Sequence, residues 1–197
     1  MNVLLSILLN LTFLCHNTGT LAETKLHHTS FDDIDTPSRK LKPKVNFPVP
    51  NVSKLFYVQR DPNNNTIIYD LNVDNNGQLD EDAPIHPYWI KYNERGQKEE
   101  LNLIQRKFAY GLVTKPLGNN KFDVRFVSYK KYPLTLMRSA SDNKYHVYAT
   151  IAKKQVVLNR IFLKIEGGSF WIPNVVYAEI KGVDPETGKE VVERFKP

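Results

Sequence analysis

The sequence predicts a mainly β protein, an antiparallel sandwich or barrel of about nine strands carrying one short α-helix. Three observations lead there. From Lys54 onward, short apolar runs alternate with turn-forming segments such as "DPNNN", "GNN", "ASDN" and "VDPETGK". Within the runs the period is two: in "KFDVRF", Phe122, Val124 and Phe126 fall on one face and Asp123 and Arg125 on the other, as in a sheet with one wet side. Only "KEELNLIQRKFAYG" repeats its apolar residues at three- and four-residue spacing.

The elements follow in chain order. Residues 3–15, "VLLSILLNLTFLC", form an apolar run too short to span a bilayer, and no Asp, Glu, Lys or Arg precedes Glu23. The run ends in Thr20-Leu21-Ala22, so residues 1–22 read as a signal peptide cut after Ala22. This predicts an exported protein, periplasmic or secreted, with no membrane-spanning segment once the signal is removed. Lipidation of Cys15 is disfavoured, because Leu14 before it is larger than a lipobox prefers. Cys15 is the only cysteine. The mature chain therefore has no disulfide, thiol nucleophile or thiolate metal site. Residues 23–52 read as a flexible Pro-rich linker, broken at Pro37, Pro43, Pro48 and Pro50. It carries His27-His28, a weak metal pair, and a basic run of Arg39, Lys40, Lys42 and Lys44, read as a solvated tether or as a contact with an anionic surface. Residues 53–197 form a single β-rich domain.

In that domain "KLFYVQR" and "TIIYDLNV" flank "DPNNN" as a first hairpin, and "HPYWIKYN" supplies a third strand. "KEELNLIQRKFAYG" then reads as the helix. Leu101, Ile104 and Phe108 share its buried face, Glu99 and Glu100 lie in its first turn, and Gly111 is placed as its C-terminal cap. After it come "LVTKPL", "KFDVRFVSY", "PLTLMRS", "KYHVYATIA", "QVVLNRIFLKI", "NVVYAEIKG" and "EVVERF".

Function is constrained mostly by exclusion. A net charge of +6 over 197 residues is a mild excess that suits a soluble surface, and no nucleic-acid partner is expected. The basic and aromatic mixture of the strands is explained by alternation. No G-x-S-x-G, H-E-x-x-H, Walker or dinucleotide pattern occurs, so no catalytic residue and no cofactor is assigned. His86 and His146 read as structural. The stretch "NVDNNGQLDED", residues 72–82, has the rhythm of a calcium loop around Gly77, with Asn72, Asp74, Asn76 and Asp80 at ligand offsets. The position that needs a bidentate Glu is Ala83. It therefore reads as an acidic connecting loop, and no metal is assigned. The candidate ligand-binding set is Gln59, Arg60, Trp89, Tyr92, Gln105, Arg106 and Tyr110. Arginine forks recognise carboxylates or phosphates, and aromatic rings stack on ring-shaped ligands. The competing reading pairs Arg60 and Arg106 with Asp61, Glu99 or Glu100, pinning the helix to the sheet.

The segments "LFYVQRDPNNNTIIYDLN", "PIHPYWIKYNERGQKEELNLIQRKFAYG" and "NVVYAEIKGVDPETGK" carry a resemblance. Over about residues 53–195 the chain resembles the bacterial exported family called domain of unknown function 4833. The resemblance supports the domain limits and export, and brings no established activity. The expectation is a non-catalytic binding or interaction module recognising an acidic small molecule, glycan or envelope component. The alternative is a hydrolase acting on envelope polysaccharide or peptide, which would need two carboxylates facing each other across a cleft.

Overall fold

The computed structural model describes residues 47–169 and 172–197. The signal segment, Cys15, His27-His28 and the basic run from Arg39 to Lys44 lie outside the described residues. Those described belong to one compact unit, residues 42–197. It is mainly β. Its strands are β1 (Phe56–Asp61), β2 (Asn63–Leu71), β3 (Ile85–Lys91), β4 (Gln97–Glu100), β5 (Leu112–Gly118), β6 (Lys121–Phe126), β7 (Leu134–Arg138), β8 (Tyr145–Ile151), β9 (Lys154–Gly168), β10 (Pro173–Val183) and β11 (Glu190–Phe195). All join one sheet.

Strand β9 is the spine. One of its edges serves two neighbours in succession: β8 pairs with Lys154–Val157, and β1 pairs with the stretch from Arg160 to Lys164. The other edge carries β10, which in turn carries β11. The sheet therefore divides into two wings, β1 to β4 and β5 to β8, that curl toward each other in a half-barrel. The β1–β9 pairing is parallel, whereas the sequence predicts antiparallel neighbours throughout. Parallel strands need a long crossover, and here everything from β2 to β8 provides it.

Alternation decides what each wing buries. Phe56, Ile67, Tyr69 and Trp89 from one wing meet Phe122, Val124, Leu136 and Val147 from the other in a single core. Asp123 and Arg125 face outward and pair at 2.9 Å, as the period-two reading of "KFDVRF" requires. On the outer face of the first wing, Ile68, Tyr88 and Ile90 form a smaller cluster with Tyr57 and Tyr92. The last residues of the Pro-rich stretch also lie on this outer side. The Pro48 carbonyl accepts a hydrogen bond from Gln59 Nε2 at 2.7 Å, and the Phe47 ring meets Phe162 edge-on at 5.1 Å.

The helix differs most from expectation. Residues 97–100 are strand β4, paired with β3 through Trp89↔Glu99 and Tyr88↔Glu100. Glu99 and Glu100 are therefore not in a first helical turn. Glu99 bridges Lys91 across the ladder at 3.3 Å. The helical residues end in a π-helix, Gln105–Tyr110. Of the face expected to be buried, Leu101 is in the core at 4% exposure, but Ile104 and Phe108 are 46% and 55% exposed. A π-helix turns through more residues than an α-helix, so three- and four-residue spacing no longer marks one face. Gly111 is the C-terminal cap, as expected, and it caps in an extended conformation with φ −66° and ψ 164°. Its lack of a side chain is needed for close packing. A Cβ there would lie 1.9 Å from the Arg106 carbonyl oxygen, which the π-turn brings against it.

Candidate functional site

The concave side of the sheet holds a cavity of about 600 Å³, a volume typical of small-molecule sites. Its floor follows from strand register. Arg60 on β1 faces Leu163 on β9, Leu163 faces Ala178 on β10, and Ala178 faces Phe195 on β11. These four residues form one row across four strands, and all line the cavity. Val58, Ile161 and Ile180 form the adjacent row. The walls come from Tyr69 and Phe126 of the core and from the π-helix through Phe108 and Tyr110.

Arg60 is the exceptional group. Its guanidinium sits over the rings of Trp89 and Tyr110, at 5.4 and 5.5 Å from their centroids, and those two rings meet edge to face at 5.2 Å. Cation–π attraction holds the charge there. Its Nε is buried and has no hydrogen-bond partner among the described residues. Each carboxylate that the sequence offers it is engaged elsewhere. Asp61 pairs with Lys164, Glu99 with Lys91, and Glu100 with His86 at 2.8 Å and Arg106 at 3.5 Å. The Arg106–Glu100 contact ties the helix to β4, as the pinning reading expects of Arg106, and neutral groups add further ties. Gln105 Oε1 accepts from Trp89 Nε1 at 3.2 Å and from the Asn102 amide at 3.1 Å. The Tyr69 hydroxyl donates to the Tyr110 carbonyl at 2.8 Å. Burial raises the pKa of Tyr69 well above that of an ordinary phenol, and the nearby Tyr110 adds to the rise. Burial also raises that of Tyr110, partly offset by Arg60. Both phenols therefore stay protonated donors.

Of the seven candidate residues, four converge: Arg60, Trp89, Gln105 and Tyr110. Gln59 lies on the opposite face of β1, as adjacent strand residues must. It is 1% exposed, donates to Pro48 and Thr66, and accepts from Arg160. Tyr92 packs on the outer cluster. Arg106 is exposed beside Glu100. The cavity residues missing from the candidate set include Tyr69, Phe108, Phe126 and Tyr132, and a floor from β9, β10 and β11. The floor's one legible signal was the alternation Ile161, Leu163, Ile165, which places these three on a single face.

The other candidates are structural in geometry. His86 contacts Glu100, and His146 contacts Asp142 at 2.8 Å. In the acidic loop, Asp74 Oδ1 accepts the amides of Asn76 and Gln78, and Asp80 Oδ1 accepts those of Asp82 and Ala83. These carboxylates cap turns. Among the described residues no group of three or more His, Cys, Asp or Glu is placed to hold a metal ion.

Fold and cavity together define a half-barrel β protein with an apolar pocket lined by Arg60, which has no counter-ion among the described residues. The family model described as "Domain of unknown function (DUF4833)" matches residues 56–194, and the chain belongs to that family. No curated protein and no solved structure matches it. No helix among the described residues is long and apolar enough to cross a membrane.

Proposed function

We propose that the domain is a non-catalytic binding module that takes a small molecule bearing an acidic group into its concave face. The observation that carries this is Arg60: a guanidinium at an apolar cavity, held by two aromatic rings and lacking a hydrogen bond or carboxylate among the described residues. An unpaired cation in such surroundings favours an anionic ligand strongly, because low dielectric strengthens the pairing. The hydrolase reading calls for two facing carboxylates. The cavity lining supplies Asp61, which Lys164 engages, so the geometry lends that reading no support. The signal-like run of residues 3–15 supports export, with cleavage after Ala22, as part of this reading.

Titration with the anionic dye anilinonaphthalenesulfonate, followed by fluorescence, tests the binding reading. Saturable enhancement that Arg60→Ala weakens at least tenfold is expected. Saturable binding equally strong to the variant would overturn it. N-terminal sequencing of exported protein should begin at Glu23; a lipidated Cys15 would refute cleavage after Ala22 and tie the protein to a membrane.

A further inference from the structure

Resting on the binding reading above, we propose that the ligand is a single-chain anionic amphiphile, its head on Arg60 and its aliphatic chain lying across the strands toward β11. The row Arg60, Leu163, Ala178, Phe195 is what distinguishes a chain from a compact acid. Its one charged member stands at one end, and each later position is apolar. At the far end Phe195 stacks on Tyr132, with centroids 5.8 Å apart, and both rings line the cavity. The row crosses three interstrand gaps, which at about 4.8 Å each makes roughly 14 Å. An extended aliphatic chain advances about 1.25 Å per bond, from carbon–carbon bonds of about 1.52 Å and angles near 111°, so roughly eleven bonds, or about twelve carbons, fill that length.

Charge sorts the head from the tail. Asp61 is the acidic side chain in the lining, and its ion pair with Lys164 leaves that couple neutral. Arg60 is therefore the charged side chain of the described lining without an ion-pair partner, and the Tyr110 ring lines the cavity beside it. Ala178 is the small residue of the row, and its shortness leaves depth where the middle of a chain would pass. A carboxylate or a phosphate monoester satisfies the guanidinium donors, so a free fatty acid and a phosphorylated lipid share this chemistry.

Calorimetric titration of the folded domain, below the micelle concentration of each probe, tests the inference. The probes are octanoate, dodecanoate, dodecyl phosphate, dodecanol and benzoate. Affinity should rise steeply from octanoate to dodecanoate, by up to about fourfold per methylene if each is fully buried. Dodecanoate or dodecyl phosphate should bind at least tenfold tighter than dodecanol, and Arg60→Ala should erase that preference. The tighter of the two anions identifies the head group. Ala178→Leu, which fills the middle of the row, should weaken dodecanoate more than benzoate. If that variant fails to fold, the chain-length series on the unmodified protein decides alone. Arg60-dependent binding of benzoate with no gain from octanoate to dodecanoate would overturn the chain while leaving the acidic-ligand reading standing. Equal affinity for dodecanoate and dodecanol would overturn the head-group assignment. No binding by any of the acids would overturn both readings.

Discussion

Truncating Leu101 and Phe108 separately tests the described packing of this segment against the helix that spacing alone suggests. On an amphipathic helix both would be buried. Here Leu101 is 4% exposed and belongs to the core, whereas Phe108 is 55% exposed on the π-helix. Leu101→Ala removes three carbons from the core. At about 0.8 kcal/mol per buried methylene that is about 2.4 kcal/mol, and the residual cavity brings the cost to about 3 kcal/mol. Phe108 buries a little under half of its side chain, so Phe108→Ala should cost only about 1 kcal/mol. For a domain of this size each kcal/mol lowers Tm by about 3 °C. The expected shifts are thus about 9 °C for Leu101→Ala and about 3 °C for Phe108→Ala, read by calorimetry on the same preparation. Equal shifts, or a larger one for Phe108→Ala, would refute the π-helical packing and restore the amphipathic α-helix.

Other expectations follow from single contacts. Gly111→Ala should cost about 1–3 kcal/mol by overpacking, since the new Cβ meets the Arg106 carbonyl; an unchanged Tm would mean that the turn relaxes freely. Tyr69→Phe should cost about 1–2 kcal/mol, because the Tyr110 carbonyl loses its buried donor, and faster hydrogen exchange around Tyr110 should accompany the loss. Asp142 has its pKa lowered from 3.8, first by the Lys144 amide and then by His146. A depressed carboxylate contributes stability above its unfolded pKa and loses it as pH falls through the folded pKa. That contribution should accordingly disappear below pH 3.8, and NMR titration of His146→Ala should show the Asp142 pKa moving upward. Asp74→Ala should lower Tm by a few degrees through the lost turn cap, to the same extent with calcium or chelator present; a calcium-dependent difference would reveal a metal role.

How far the sequence was legible depends on the range of the forces involved. Strand pattern is local: alternation in "KFDVRF" and turn residues between runs set most elements of the second wing. Segment 97–111 was misread because its spacing fits an amphipathic helix and its first residues have weak strand propensity. Glu99 and Glu100 become strand through tertiary pairing with Trp89 and Tyr88, and such pairing overrides propensity. Gly111 ends the helix as its position suggests, but its backbone conformation is not legible from the sequence. A glycine at a helix end satisfies either a left-handed cap or a close carbonyl, and only the φ of −66° decides between them.

The candidate site divides along the same line. Gln59 and Arg60 are neighbours in sequence, yet period two alone sends them to opposite faces, so their separation was legible and only the choice of inner face was not. Trp89 and Tyr110 meet under Arg60, and Gln105 holds Trp89, because strand β3 and the π-helix are close in the chain. The floor beneath them could not be read this way. Leu163 stands opposite Arg60 through a parallel pairing across about a hundred residues, and Ala178 and Phe195 are placed only through β9. Such contacts are fixed by how the wings fold over one core. A motif therefore marked the cation, and the global topology determined that its neighbour across β9, β10 and β11 is an apolar trough rather than a carboxylate. That second fact is why the proposed binding reading rests on Arg60, where the motif alone suits a structural pin equally well.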